Sequence, residues 1–246
     1  MRLDSAEAAR RHLALALDVD DLVVALRLAR RLHPWFSVAK VGLELFGAAG
    51  PEAVTALVAE GYLVFLDLKL HDIPTTVRRA ARVIGALGAT YTTVHTQGGL
   101  AMVAAAVEGM AEGAAGAGAP PPWVLGVTVL TSDVEAPPQA REARATLAAQ
   151  AGCGGIVCAA GDLEITRHVV PALIKVVPGI RPSGVSADDQ ARTATPAVAL
   201  SAGADLLVLG RAVTAAPDPE ALSVAITEEL IGASQRVAGD PLRRGR

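Results

Sequence analysis

Lysine is nearly missing from this chain. Of its 22 basic residues three are lysine, Lys40, Lys69 and Lys175, and the other nineteen are arginine. Aromatic residues are also scarce, at 3%, so a core must be built from Ala, Val, Leu and Ile. There are two cysteines, Cys153 and Cys158, and their spacing excludes a zinc ribbon or a disulfide framework. They read as free buried thiols of a cytosolic protein. The net charge is −3, with no basic block except the terminal Arg243-Arg-Gly-Arg246, which argues against a nucleic-acid partner. No run of roughly 18 or more apolar residues is present, and Met1-Arg-Leu-Asp-Ser-Ala-Glu7 lacks the apolar centre of a signal peptide. The expectation is a soluble cytoplasmic protein that makes no membrane contact.

What is abundant is short apolar runs alternating with longer Ala/Arg/Glu-rich stretches. Hydrophobic residues make up 52% of the chain. Such alternation marks repeated βα units around a parallel sheet. It predicts strands near 13–18, 37–42, 62–69, 91–95, 123–130, 154–158, 174–178 and 205–209. Helices are expected near 20–33, 47–60, 75–87, 99–115, 138–151, 162–172, 190–202 and 218–231. Gly50-Pro51 interrupts the start of the second helix. Ile73-Pro74 and Ala216-Pro-Asp-Pro219 place proline where a first helical turn tolerates it. Eight such units in 246 residues fit a single (β/α)8 barrel, class α/β, better than an open sheet. The domain is expected over 1–238, with 239–246 as a flexible tail. The Gly/Ala/Pro-rich stretch Glu112–Pro122 is expected to be a loop before the fifth strand.

In a barrel of this kind the active site lies at the carboxyl ends of the strands. There the polar residues gather: Asp18 after strand one, Lys40 on strand two, and Asp67, Lys69 and Asp72 at the end of strand three. His95 ends strand four, Thr131 and Ser132 follow strand five, Arg181 follows strand seven, and Gly210 and Arg211 follow strand eight. Asp67 and Lys69 are two residues apart, so an extended strand turns both to one face. Asp18 and Lys40 on neighbouring strands can join them in an array of alternating charge. Ion pairs at strand ends are common, but burying charge costs several kcal/mol per ion unless it is well paired. Four converging charges therefore point to chemistry. Lysine suits that chemistry because, unlike arginine, it can both stabilise an anion and release a proton. Gly179–Gly184 and Gly210-Arg211 stand where such barrels bind phosphate, through backbone N–H groups, a helix start and a guanidinium. His71 and His95 are of metal-ligating type, but Lys40 and Lys69 beside them oppose a cation, so no metal is expected.

At these residues the chain resembles the orotidine 5′-phosphate decarboxylase family. The likeness runs from Ala14-Leu-Ala-Leu-Asp18 to Gly210-Arg211. Its most specific part is Asp67-Leu-Lys-Leu-His-Asp-Ile-Pro-Thr-Thr76, which is similar to the family's Asp-x-Lys-x-x-Asp signature. Lys40-Val-Gly-Leu-Glu44, Thr128-Val-Leu-Thr-Ser132, Pro178-Gly-Ile-Arg-Pro182, Asp189-Gln-x-Arg192 and Thr195-Pro196 support it. The resemblance implies decarboxylation of orotidine 5′-monophosphate to UMP, in de novo pyrimidine synthesis and without a cofactor. Lys69 is then the proton donor to C6, and Asp67 faces the substrate carboxylate. Asp72 and Thr76 reach the site from the other subunit of a homodimer. Asp18 and Lys40 bind ribose hydroxyls, with Lys40 continuing the charge network. Thr131, with Ser132, reads the pyrimidine. Gln190, Gly210 and Arg211 bind phosphate, Gln190 also lying near the pyrimidine, and Arg181 supports that loop. Two other readings stay open: a magnesium-dependent sugar-phosphate decarboxylase or aldolase barrel, and a non-catalytic barrel that senses UMP. The first needs an acidic metal ligand on strand two, where this chain has Lys40. The second predicts a missing proton donor, whereas Lys69 is present.

Overall fold

A computed structural model describes residues 3–130, 137–182 and 194–239. In chain order its strands are β1 (Leu13–Ala16), β2 (Val38–Val41), β3 (Leu63–Leu70), β4 (Tyr91–His95), β5 (Trp123–Val127), β6 (Gly155–Val157), β7 (Ile174–Val177) and β8 (Leu206–Leu209). Neighbours pair in parallel, and β8 pairs with β1, so the sheet closes into an eight-stranded barrel. The helices are α1 (Ala6–Arg10), α2 (Leu22–Leu32), α3 (Leu43–Ala49), α4 (Pro51–Ala59), α5 (Pro74–Gly85) and α6 (Gly99–Gly116). They continue with α7 (Pro138–Gln150), α8 (Leu163–Val169), α9 (Pro196–Ala202), α10 (Arg211–Thr214) and α11 (Pro219–Gly239). The expected (β/α)8 barrel is the one formed. None of the described helices is long and apolar enough to cross a membrane.

Strand alternation sets two apolar layers. Ala14, Ala16, Val38, Phe65, Leu125, Val127, Val157, Val176, Leu206 and Val208 fill the lumen. The intervening positions, such as Leu13, Leu15, Ala39 and Val64, pack outward against the helices. With so few aromatics, one edge-on pair does much of the filling: Phe65 and Tyr91 lie 6.2 Å apart at 77°. Burying one such side chain contributes roughly 1.5–3 kcal/mol.

Two boundaries differ from expectation for identifiable reasons. Gly50 takes φ +59 and Pro51 opens a new helix, so the second helical stretch is two pieces, α3 and α4. The Gly/Ala-rich stretch is helical as far as Gly116. Gly109 and Gly113 let α6 approach α5 so closely that a Cβ at either would run into the carbonyl oxygen of Arg78 or Arg82. Glycine thus serves packing there, and the loop begins only at Ala117. The last helix, α11, ends at Gly239, and residues 240–246 of the expected tail lie outside the described residues.

Lys175 has a role of its own on the outer face of β7. It is 4% exposed, and its ammonium donates to the carbonyls of Val170 (2.9 Å), Pro171 (3.2 Å) and Leu173 (2.5 Å) just beyond α8. Three donors meet three acceptors, which satisfies a buried cation. Burial pushes its pKa down, opposed by the nearby Asp205 carboxylate. Both cysteines are buried, and burial pushes the Cys153 thiol up to about 12. Lys175→Met should destabilise the protein by about 2–4 kcal/mol, because it strands buried carbonyl oxygens. Urea unfolding checks this, and a loss below about 0.5 kcal/mol would remove the assigned role.

Candidate active site

The inward parity of the strands continues past the apolar layer into polar side chains. On β1 the series Ala14, Ala16 leads to Asp18, on β2 Val38 leads to Lys40, and on β3 Phe65 leads to Asp67. These residues line one cavity of about 240 Å³ at the carboxyl ends of the strands. Lys69, Arg181, Gly210 and Arg211 line it too, with an apolar wall of Phe65, Val127, Val129, Leu130, Val157 and Val208.

The four expected charges resolve into two ion pairs. Lys40 Nζ stands 2.8 Å from Asp18 Oδ1, and Lys69 Nζ stands 2.7 Å from Asp67 Oδ2. In each pair one partner is largely enclosed, Lys40 at 11% and Asp67 at 13% side-chain exposure, while Asp18 and Lys69 stay open to the cavity mouth at 46% and 33%. Gly42 makes room for the first pair: a Cβ there would sit 3.0 Å from both Asp18 Oδ1 and Lys40 Nζ.

Asp67 and Lys69 meet, but by a route that plain strand alternation does not describe. Leu66 pairs with Thr92 and Leu70 with Val94, so Asp67, Leu68 and Lys69 bulge opposite the single residue Thr93. Lys69 takes φ +51, the one positive φ at a non-glycine among the described residues. Such a conformation costs about 1–3 kcal/mol and persists only where surrounding contacts enforce it. Thr93 supplies two of those contacts. Its Oγ1 accepts the Lys69 backbone N–H at 2.9 Å and donates to Asp67 Oδ1 at 2.9 Å. Residue types chosen for charge passed over Thr93, although inward parity along Tyr91–His95 marks it.

The opposite side of the cavity is cationic. Arg181 is 6% exposed, and its Nε has no hydrogen-bond partner among the described residues. Its backbone N–H donates to the Ala194 carbonyl at 2.9 Å, beside the Ile180–Ala194 bridge. Arg181 and Ala194 are thereby joined through their backbones. Arg211 opens α10, which spans only four residues, so its guanidinium has little help from a helix dipole. Gly210 lies next to Asp18, a Cβ on it being 3.7 Å from Asp18 Oδ2.

Not every expected residue joins this cavity. Asp72 and Thr76 are exposed beyond the rim, and Asp72 Oδ1 accepts from the Ile73 N–H at 2.6 Å. Neither lines the cavity of its own chain. Thr131, Ser132 and Gln190 lie outside the described residues. The histidines stand beside the site, not in its lining. His71 stacks on His95 at 5.4 Å and 19°, and His95 Nδ1 accepts the Gln97 N–H at 3.2 Å.

A closed parallel barrel whose strand ends join paired lysines and carboxylates to arginines defines an enzyme site for a small anionic substrate. The family model described as "Orotidine 5'-phosphate decarboxylase / HUMPS family" matches residues 11–226, and the chain belongs to that family. An orotidine 5′-phosphate decarboxylase of Anaeromyxobacter sp. strain K is 48% identical over 226 residues, covering 87% of this chain and 96% of its own. One from Moorella thermoacetica is 43% identical over 234 residues, covering 90% and 93%. The crystal structure of the Lactobacillus acidophilus orotidine 5′-phosphate decarboxylase aligns with TM-score 0.75 at 34% identity, over 89% of this chain and 99% of the other.

Burial lowers the pKa of His95 from its ordinary value, with His71, Arg144 and Lys69 adding repulsion. With Nδ1 accepting a hydrogen bond, the ring proton resides on Nε2. The folded ring thus binds its extra proton less readily than the unfolded one, so this group favours folding at high pH, and its contribution is lost as pH falls below about 6.5. NMR titration should place the His95 midpoint below that of a free histidine. A midpoint at or above it would contradict the neutral, stacked ring.

Proposed function

We propose that this protein is a carboxy-lyase that converts orotidine 5′-monophosphate to UMP in cytoplasmic pyrimidine biosynthesis, without a metal or organic cofactor. The observation that carries the reading is the Lys69 ammonium, held against Asp67 by an unusual backbone conformation at the end of a half-apolar cavity. Loss of carbon dioxide leaves a carbanion at C6 that the pyrimidine ring delocalises poorly. The site must stabilise localised negative charge with groups already in place. In this reading Lys69 provides the positive charge and then the proton, while Asp67 faces the departing carboxylate. Asp18 and Lys40 take ribose hydroxyls. Gln190, Gly210 and Arg211 hold the phosphate, Arg181 supports that loop, and Thr131 with Ser132 reads the pyrimidine edge. Phosphate held far from the reacting carbon supplies binding energy for the transition state.

A magnesium-dependent sugar-phosphate reaction is the weaker reading. A divalent ion in this cavity would face the ammonium groups of Lys40 and Lys69, each already matched to one carboxylate. A barrel that only senses UMP would have no use for a strained lysine. Purified protein mixed with orotidine 5′-monophosphate in excess chelator should show the absorbance change of UMP formation. No change there, with turnover restored by magnesium, would favour the metal-dependent reading.

Lys69→Ala should fold and bind UMP but lose nearly all turnover, and Lys69→Arg should fail as well, because arginine does not release its proton at working pH. A near-normal kcat in either variant overturns the assignment.

The exposed position of Asp72 and Thr76 supports a homodimer in which each subunit completes its partner's site. Asp72 leaves the rim just before Pro74 starts α5, so it points away from its own cavity. Mixing inactive Lys69→Ala with inactive Asp72→Ala subunits should then restore activity. At equal random mixing half the dimers are mixed, each with one intact site, so about a quarter of wild-type activity returns. No recovery after verified subunit exchange places Asp72 in its own subunit's site.

A further inference from the structure

We propose that Thr93 is a positioning residue for the reaction, holding the Lys69 ammonium and the Asp67 carboxylate in working geometry through one hydroxyl; this rests on the decarboxylase reading above. β3 places three residues opposite Thr93 alone, so the ladder between β3 and β4 is broken where the charged pair sits. The Thr93 hydroxyl fills the break. It accepts the Lys69 backbone N–H at 2.9 Å, and its single proton goes to Asp67 Oδ1, also at 2.9 Å. The other oxygen of Asp67 accepts the Lys69 ammonium at 2.7 Å. The contacts form a closed ring: backbone amide, hydroxyl, carboxylate, ammonium, and back along the lysine side chain.

That ring fixes direction as well as distance. A carboxylate donates nothing and an amide N–H accepts nothing, so the hydroxyl between them has one possible orientation. Thr93 is 0% exposed, which keeps water from taking its place, and its branched Cβ restricts χ1. The two groups that the hydroxyl holds face the reacting end of the substrate. Arg211, the cation assigned to phosphate, follows β8, with β1 and β2 between it and the β3–β4 pair that holds Thr93. Loss of the hydroxyl should therefore disturb the chemical step far more than binding.

The test compares Thr93→Val, Thr93→Ser and Thr92→Val. Valine keeps the shape of threonine and removes the hydroxyl, whereas serine keeps the hydroxyl. Thr92 is the adjacent residue on the other face of β4, equally buried, and its hydroxyl has no hydrogen-bond partner among the described residues. Thr93→Val should lower kcat by about ten- to a hundredfold, with KM and UMP affinity within about threefold of wild type. Thr93→Ser should recover most of kcat, and Thr92→Val should leave it unchanged. If Thr93→Val does not fold, Thr93→Ala carries the same comparison. Wild-type kcat in the variant lacking the hydroxyl overturns the inference. So does an equal loss of kcat and UMP binding that serine fails to rescue, since that is a packing defect. Wild-type protein inert towards orotidine 5′-monophosphate would remove the decarboxylase reading, whereas active wild type with an active Thr93→Val removes the role of Thr93 alone.

Discussion

Closing eight parallel strands into a barrel leaves one place where a charged side chain can face inward and still meet a ligand, the carboxyl-terminal rim. Below it the lumen is filled by Ala14, Ala16, Val38, Phe65 and their counterparts, and an ion there would lose its hydration without compensation. The same alternation that packs the lumen therefore carries Asp18, Lys40 and Asp67 to the cavity as the next inward positions. Geometry of the closed sheet, more than any single contact, makes the charges converge. Pairing then makes them tolerable, each lysine having one carboxylate within 2.8 Å.

Lys69 is the exception to that regularity. Its left-handed backbone interrupts the ladder, and the interruption survives because Thr93 and Asp67 absorb the orphaned groups. Strain is concentrated at Lys69, while the neighbouring strands stay regular. A flexible lysine stem would otherwise spread its ammonium over many rotamers.

The barrel was legible in the sequence because its signal is repeated: eight apolar runs, each ending in polar or glycine residues, leave little choice of architecture. The rim residues were legible from the same period, Asp18 following Ala14 and Ala16 in step. What escaped has physical causes. The positive φ of Lys69 depends on contacts from β4, which no local pattern carries. Gly113 read as loop because glycine usually breaks helices, yet α5 demands a residue without a side chain there. Thr93 escaped because its role comes from a hydroxyl between two partners and not from charge. Asp72 and Thr76, exposed in the single chain, take on meaning only through the family signature that contains them.

The distribution of the three lysines has one more consequence. Lys175 is sealed beneath α8, and Lys40 and Lys69 belong to the cavity, so the outer surface presents guanidinium groups and no side-chain amine. Terminal amines aside, the reagents and enzymes that acylate primary amines find an unreactive exterior. Any side-chain acylation would have to enter the pocket and be resisted by whatever occupies it. The protein's amine chemistry is thus a direct report on occupancy of its own cavity.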